Sequence, residues 1–288
     1  MNGKIDVIIA AQRAAKGLTR SLASVLMQAD NAPFAVTVAA AEAIALPFAA
    51  GSAQLVRAQG DSLALWHAGL EACEGEWALL LGAGDTLFDA YSLWRLADAR
   101  RENPRAAAVY GAVRCFEPDG RAAQGVSSYA VPCGVLARRE VLLAALARAK
   151  TPFSLAASLF AAAEETAAIS ESVCECALPD GWFEQLCGAA DGLSGARAGE
   201  WAERQLAALY LAYVQAGLCG PDEMQAAREK CRAFFKAAWL PLEGEIAPDL
   251  LFASYSETMD AAMRIDPEAE SGYDPYPMFA DILRMECD

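Results

Sequence analysis

The residue types able to do chemistry are sparse in this 288-residue chain. Asp85 closes a Gly82-Ala83-Gly84-Asp85 corner. A carboxylate there suits either a hard cation or the cap of a following helix. Gly82 and Gly84 let backbone approach a ligand closely, or simply form the turn. His67 is the sole histidine and stands between Trp66 and Ala68; it reads as a diphosphate contact or as a packed or surface group. Arg13 follows an apolar run, and Glu164-Glu165 sit in what reads as a helical stretch; the plain reading of both is solvated surface. The nine cysteines are Cys73, Cys115, Cys133, Cys174, Cys176, Cys187, Cys219, Cys231 and Cys287. Only Cys174-x-Cys176 is a close pair, and no Cys-x-x-Cys occurs. The spacing therefore points to buried free thiols in a reducing compartment, not to a structural zinc site.

These groups need a scaffold, and the composition supplies one. Hydrophobic residues make up 55% and charged residues 21%, enough to bury a full core. The formal net charge of -15 repels phosphates, which disfavours nucleic acid and anionic lipid as partners. The N-terminus lacks the apolar core of a signal peptide, and no apolar run approaches the roughly 20 residues of a membrane span. A soluble, cytoplasmic protein without a transmembrane segment is expected.

Ile5 to Ala10, Phe34 to Val38, Leu55 to Arg57 and Glu76 to Leu81 read as strands. Gly17 to Gln28 and Ser62 to Cys73 carry helical spacing, with Thr19 and Ser21 as cap groups for the first. This alternation argues for a parallel sheet with helices on its faces. A helix from Tyr91 to Glu102, a strand from Ala106 to Arg114, a strand from Val131 to Leu136 and a helix from Arg139 to Ala149 follow. From about Pro179 the texture turns helical, with blocks from Glu200 to Ala216, Pro221 to Trp239 and Pro248 to Arg264, then an acidic tail from Asp266.

The order and spacing of the first 150 residues resemble the family-2 glycosyltransferases, which have the GT-A fold. Ile5 to Ala10 looks like that family's opening strand, and Leu18 to Gln28 like its first helix. Glu74-Gly75-Glu76-Trp77 looks like its Lys-Gly-Glu-Tyr turn, and Leu80 to Leu87 like its metal corner. Pro132 to Val141, with Arg138 and Arg139, is similar to the segment that shapes the acceptor side. The resemblance covers about half the chain. It implies an α/β fold: a GT-A-type, Rossmann-like, mostly parallel sheet flanked by helices, over residues 1–180. A helical C-terminal region and acidic tail would fill 181–288.

By the same resemblance, Ala10, Gln12, Arg13, Ala40, His67, Gly82 and Gly84 fall at nucleotide-binding positions, and Asp85 at a metal ligand. The departures are consistent. Ala40 and Ala41 stand where the family places acids, with Glu42 one step out of register. Gly82 and Gly84 replace aspartates, and Ser154 occupies the stretch that often carries the catalytic base. No catalytic residue is identified. The expectation is a family-2-like protein with lost or reduced metal-dependent sugar transfer and a binding or scaffolding role. The alternative is an active nucleotide-sugar glycosyltransferase acting on a glycan or lipid-linked acceptor. It would use backbone amides, Asp85 and His67 at an altered donor site, with manganese or magnesium as cofactor. A third reading is a small-molecule-binding protein with a changed ligand. Partners in these readings are a nucleotide-sugar or other small ligand, and a protein partner or second copy.

Overall fold

The computed structural model describes residues 4–12, 16–29, 32–41, 53–239 and 241–242. Arg13, Glu42, Cys287, the expected helix from Pro248 and the acidic tail lie outside the described residues. The chain divides into two compact units, residues 1–123 with 131–180, and residues 124–130 with 181–288.

The first unit is an eight-stranded sheet in the order β3-β2-β1-β4-β7-β6-β8-β5. Its first half is wholly parallel: β3 (Ala53–Arg57), β2 (Phe34–Ala40), β1 (Ile5–Ala11) and β4 (Trp77–Gly82). All seven residues of β1 are buried, as expected of a central strand covered on both faces. In the second half, β7 (Val135–Arg138) runs antiparallel to both β4 and β6 (Ala108–Phe116). The long β8 (Thr166–Ala177) pairs parallel with β6, and the short β5 (Thr86–Leu87) pairs antiparallel with β8. The β6–β8 ladder is broken by a bulge: Tyr110 faces Ala168, yet Cys115 faces Cys176.

The helices of this unit are α1 (Lys16–Leu26), α2 (Ser62–Ala72), α3 (Ser92–Glu102), α4 (Arg139–Leu146) and α5 (Pro152–Ala162). Leu18, Leu22 and Val25 form the buried stripe of α1. The Asp61 carboxylate caps α2 by accepting from the Ala64 N–H at 3.0 Å. Gly69 lets α2 lie tight on β1, because a methyl there would run into Ile8. The turn before β4 is fixed by buried Asp6, whose carboxylate accepts from the Gly75 N–H at 2.7 Å.

The second unit holds α6 (Trp182–Cys187), α7 (Ala196–Ala216) and α8 (Pro221–Phe234). The helix expected to run on to Trp239 changes at Phe235 into a π-helical turn, Phe235–Trp239, whose terminal rings stack at 5.0 Å. Residues 124–130 are stitched to α7. Trp201 Nε1 donates to the Tyr129 carbonyl at 2.8 Å, and the Gln205 amide bridges the Ser127 N–H and the Gly125 carbonyl. No helix of the described residues is long and apolar enough to cross a membrane.

Three local expectations are corrected. Glu164 and Glu165 are exposed in the link between α5 and β8, not in a helix. Thr19 and Ser21 lie inside α1 and do not cap it. Asp85 is followed by β5, so there is no helix at Thr86 for it to cap.

Candidate functional site

The C-terminal ends of β1 and β4 open onto a cavity of about 350 Å³, within the usual size range of ligand pockets. Ala10, Gln12, Gly82 and Asp85 line it. Trp66 and Ser62 of α2, Phe153 of α5, Cys133, and the end of β8 from Cys176 also line it. The Trp66 indole is locked by donating to the Leu81 carbonyl at 2.9 Å, and the Gln12 amide donates to the Ser62 hydroxyl at 3.2 Å. Among the described lining residues there is no lysine or arginine.

The other positions named from sequence lie elsewhere. Ala40 is buried at the end of β2 and is not among the lining residues. His67 is on the exposed side of α2, with Nδ1 3.5 Å from the Glu71 carboxylate. Gly84 takes a φ of 125°, a conformation other residues rarely adopt. Arg138 lies over the Trp77 ring at 5.7 Å, and Arg139 donates to the carbonyls of Leu70 and Cys73 at the end of α2. In the stretch expected to carry a base, Thr151 and Ser154 form a reciprocal capping box. The Ser154 N–H donates to the Thr151 hydroxyl at 3.1 Å, and the Thr151 N–H donates to Ser154 Oγ at 2.9 Å.

The corner is closed on itself. The Gly82 N–H donates to Asp85 Oδ2 at 2.7 Å, Ala83 N–H to the Ala10 carbonyl at 2.9 Å, and Asp85 N–H to the Gly82 carbonyl at 3.0 Å. The Gly84 N–H donates to Ser21 Oγ at 2.9 Å, so this serine braces the corner from inside α1. Ser24 does the same one turn later, accepting from the Leu87 N–H at 3.0 Å. The second oxygen of Asp85 accepts from the Ala177 N–H at 3.1 Å, tying the corner to β8. Burial pushes the Asp85 carboxyl up from 3.8 to about 6, although its backbone N–H donors pull the other way.

Next to Asp85 lies a cluster that the sequence spacing did not reveal. The thiols of Cys133 and Cys176 and a carboxylate oxygen of Asp85 all lie within 4.8 Å of one another, and all three residues are buried. Cys176 also contacts Cys115 across the β6–β8 pair, and Cys133 contacts Cys174. Cys115 is held well above the usual thiol range by its hydrogen bond with Cys176 and by burial. Cys174-x-Cys176 was the one usable sign: in a strand, residues two apart share a face. Cys115 and Cys133 come from elements remote in sequence, so no spacing rule links them.

This chemistry does not suit manganese or magnesium. Those ions want several oxygen ligands, whereas the described lining residues offer a single carboxylate whose two oxygens already accept backbone N–H groups.

No family model matches the chain, and no curated protein matches it. Solved structures do. Residues 1–349 of TarS from S. aureus superpose with a TM-score of 0.54 at 14% identity, covering 94% of this chain and 92% of that one. The same segment in complex with UDP-GlcNAc gives a TM-score of 0.54 at 13% identity, with 93% and 92% covered. Against a longer TarS chain the TM-score is 0.53 at 14% identity, and the match spans 90% of this chain but 54% of that one. TarS is a GT-A-type glycosyltransferase, and at these identities the likeness establishes the fold: this chain has a GT-A-like fold.

Proposed function

We propose that this GT-A-like protein keeps the cavity of a sugar-nucleotide enzyme but has lost, or retains only weakly, metal-dependent sugar transfer, and that it acts by binding. One observation carries the reading. Every backbone N–H from Gly82 to Asp85, and both oxygens of Asp85, are committed within the protein. A nucleoside diphosphate leaving group needs a cation or free donors to take up its charge. The described lining supplies no cationic side chain, and the corner has no spare amide.

The same observation weighs against an active enzyme with an altered donor site, since that enzyme would need these amides, Asp85 and His67. Inverting transfer would also need a base near the acceptor hydroxyl. The capping box of Thr151 and Ser154 fills the stretch where the resemblance looked for one. The expected ligand is a small molecule carrying little charge, or the nucleoside part of a nucleotide.

Calorimetry of the full chain with UDP- and GDP-sugars, with and without manganese, tests this directly. Affinities unaffected by manganese, with no release of free nucleoside diphosphate, are expected. Micromolar binding that depends on manganese, or steady turnover of the sugar nucleotide, would overturn the proposal.

A further inference from the structure

We infer that Asp85, Cys133 and Cys176 form a binding site for one thiophilic divalent cation of the zinc class, with its fourth coordination position open to the cavity. This inference goes beyond the reading above and does not depend on it.

The ligand set comes first. Two thiols and one carboxylate oxygen within 4.8 Å of one another are a set that zinc accepts. Ligand atoms around a tetrahedral zinc sit roughly 3.5 Å apart, so small rotamer shifts would close the site. Thiolate sulfur favours zinc over manganese or magnesium, which choose oxygen.

Second, the ligands are already oriented. Asp85 is clamped by the N–H groups of Gly82 and Ala177 and is also hydrogen-bonded to the Cys176 thiol, so a metal bound here would replace that thiol proton between the two residues. Cys176 sits on a strand, fixed by the β6–β8 pairing. Cys133 precedes Gly134, whose φ of 76° sets the turn, and a methyl at Gly134 would collide with Val113.

Third, the surroundings fit. Cys115 touches Cys176 and Cys174 touches Cys133, so each ligand sulfur is packed against a second thiol that holds it in place. These two neighbours are absent from the cavity lining, whereas all three proposed ligands belong to it. The cavity is therefore the entry path. It leaves one coordination position facing solvent, as in zinc sites with three protein ligands. That position would take water or the neutral oxygen, nitrogen or sulfur donor of a small ligand.

The full chain, purified with a thiol reductant and without chelator, should contain stoichiometric zinc by elemental mass spectrometry. After zinc removal, cobalt(II) should give sulfur-to-cobalt charge-transfer bands in the near ultraviolet and tetrahedral d–d bands in the visible. Cys133→Ser and Cys176→Ser should each weaken cobalt binding about tenfold or more. Cys187→Ser and Cys231→Ser, in the second unit, should leave it unchanged. The spectrum of the unmutated protein is decisive even where a variant fails to fold. Absence of both zinc and the charge-transfer bands would overturn the inference. So would bands that survive in the Cys133→Ser/Cys176→Ser double variant. Disulfides joining Cys133 to Cys174 and Cys115 to Cys176, found by intact mass under the same reducing conditions, would do so too.

Discussion

The two sides of the cavity differ in kind. Where β1 ends, the lining residue Ala10 is buried and carries no polar side chain; among the described residues Gln12 follows it and bonds to Ser62. Where β8 ends, a carboxylate and two thiols gather in one buried set with two further thiols behind them. Among the described lining residues, the first side carries no acid, thiol, histidine or cation. The second has groups that titrate and coordinate, but for soft metals and not for the hard cations of phosphate chemistry. A shared architecture thus says little about which wall of its cavity does the work.

The strongest way to break the contrast is Asp85→Ala. It leaves the N–H groups of Gly82 and Ala177 without an acceptor. Two stranded donors should cost about 2–5 kcal/mol in a urea melt. A loss below about 1 kcal/mol would mean that the corner does not rely on this carboxylate.

The pH response sharpens the contrast next. The folded chain holds the Asp85 proton up to about pH 6, whereas the unfolded chain releases it near 3.8. Between those values unfolding releases a proton, so this residue makes stability fall as pH rises through the window and level off above it. Melts at steps from pH 4 to pH 7 should show the decline in the parent. In Asp85→Asn that part of the slope should vanish.

Ser21→Ala tests the brace from α1. It deprives the Gly84 N–H of its acceptor and should cost about 1–3 kcal/mol. The smallest effect is expected of His67→Ala. His67 is exposed and its neighbour Glu71 is more so, so stability should change by less than about 0.5 kcal/mol and nucleotide affinity not at all. A clear drop in nucleotide binding would reopen the bare side of the cavity as a site.

The parallel half of the sheet was readable because β1, β2 and β4 are apolar runs interrupted only by Asp6 and Thr37, and because α1 and α2 repeat their apolar residues at helical spacing. The other half was harder. Thr166 to Ala177 mixes alanine, serine and glutamate with few β-branched residues, so β8 gave no strand signal, and the preceding Glu164-Glu165 blended into a helical texture. α5 is rich in alanine and leucine, so it announces a helix only once Thr151 and Ser154 are seen to cap it. The Gly82 to Asp85 corner was legible as a corner. Its inward-turned carboxylate was not, because that depends on an N–H from Ala177, far along the chain. The thiol cluster was invisible for the same reason: sheet pairing, not sequence spacing, brings Cys115 to Cys176.

The bulge between β6 and β8 has a consequence for inheritance. An unbroken ladder from the Tyr110–Ala168 pair would have set Cys115 against Val173, on the other face from Cys174 and Cys176. The extra residues on β8 bring the thiols into alignment, and their number is odd. Losing one codon anywhere from Ile169 to Glu171 would change that parity while leaving every cysteine in the sequence. Such a deletion would dissolve the cluster without touching any of its members. The pocket's chemistry is therefore encoded as much by the length of a strand as by the letters in it.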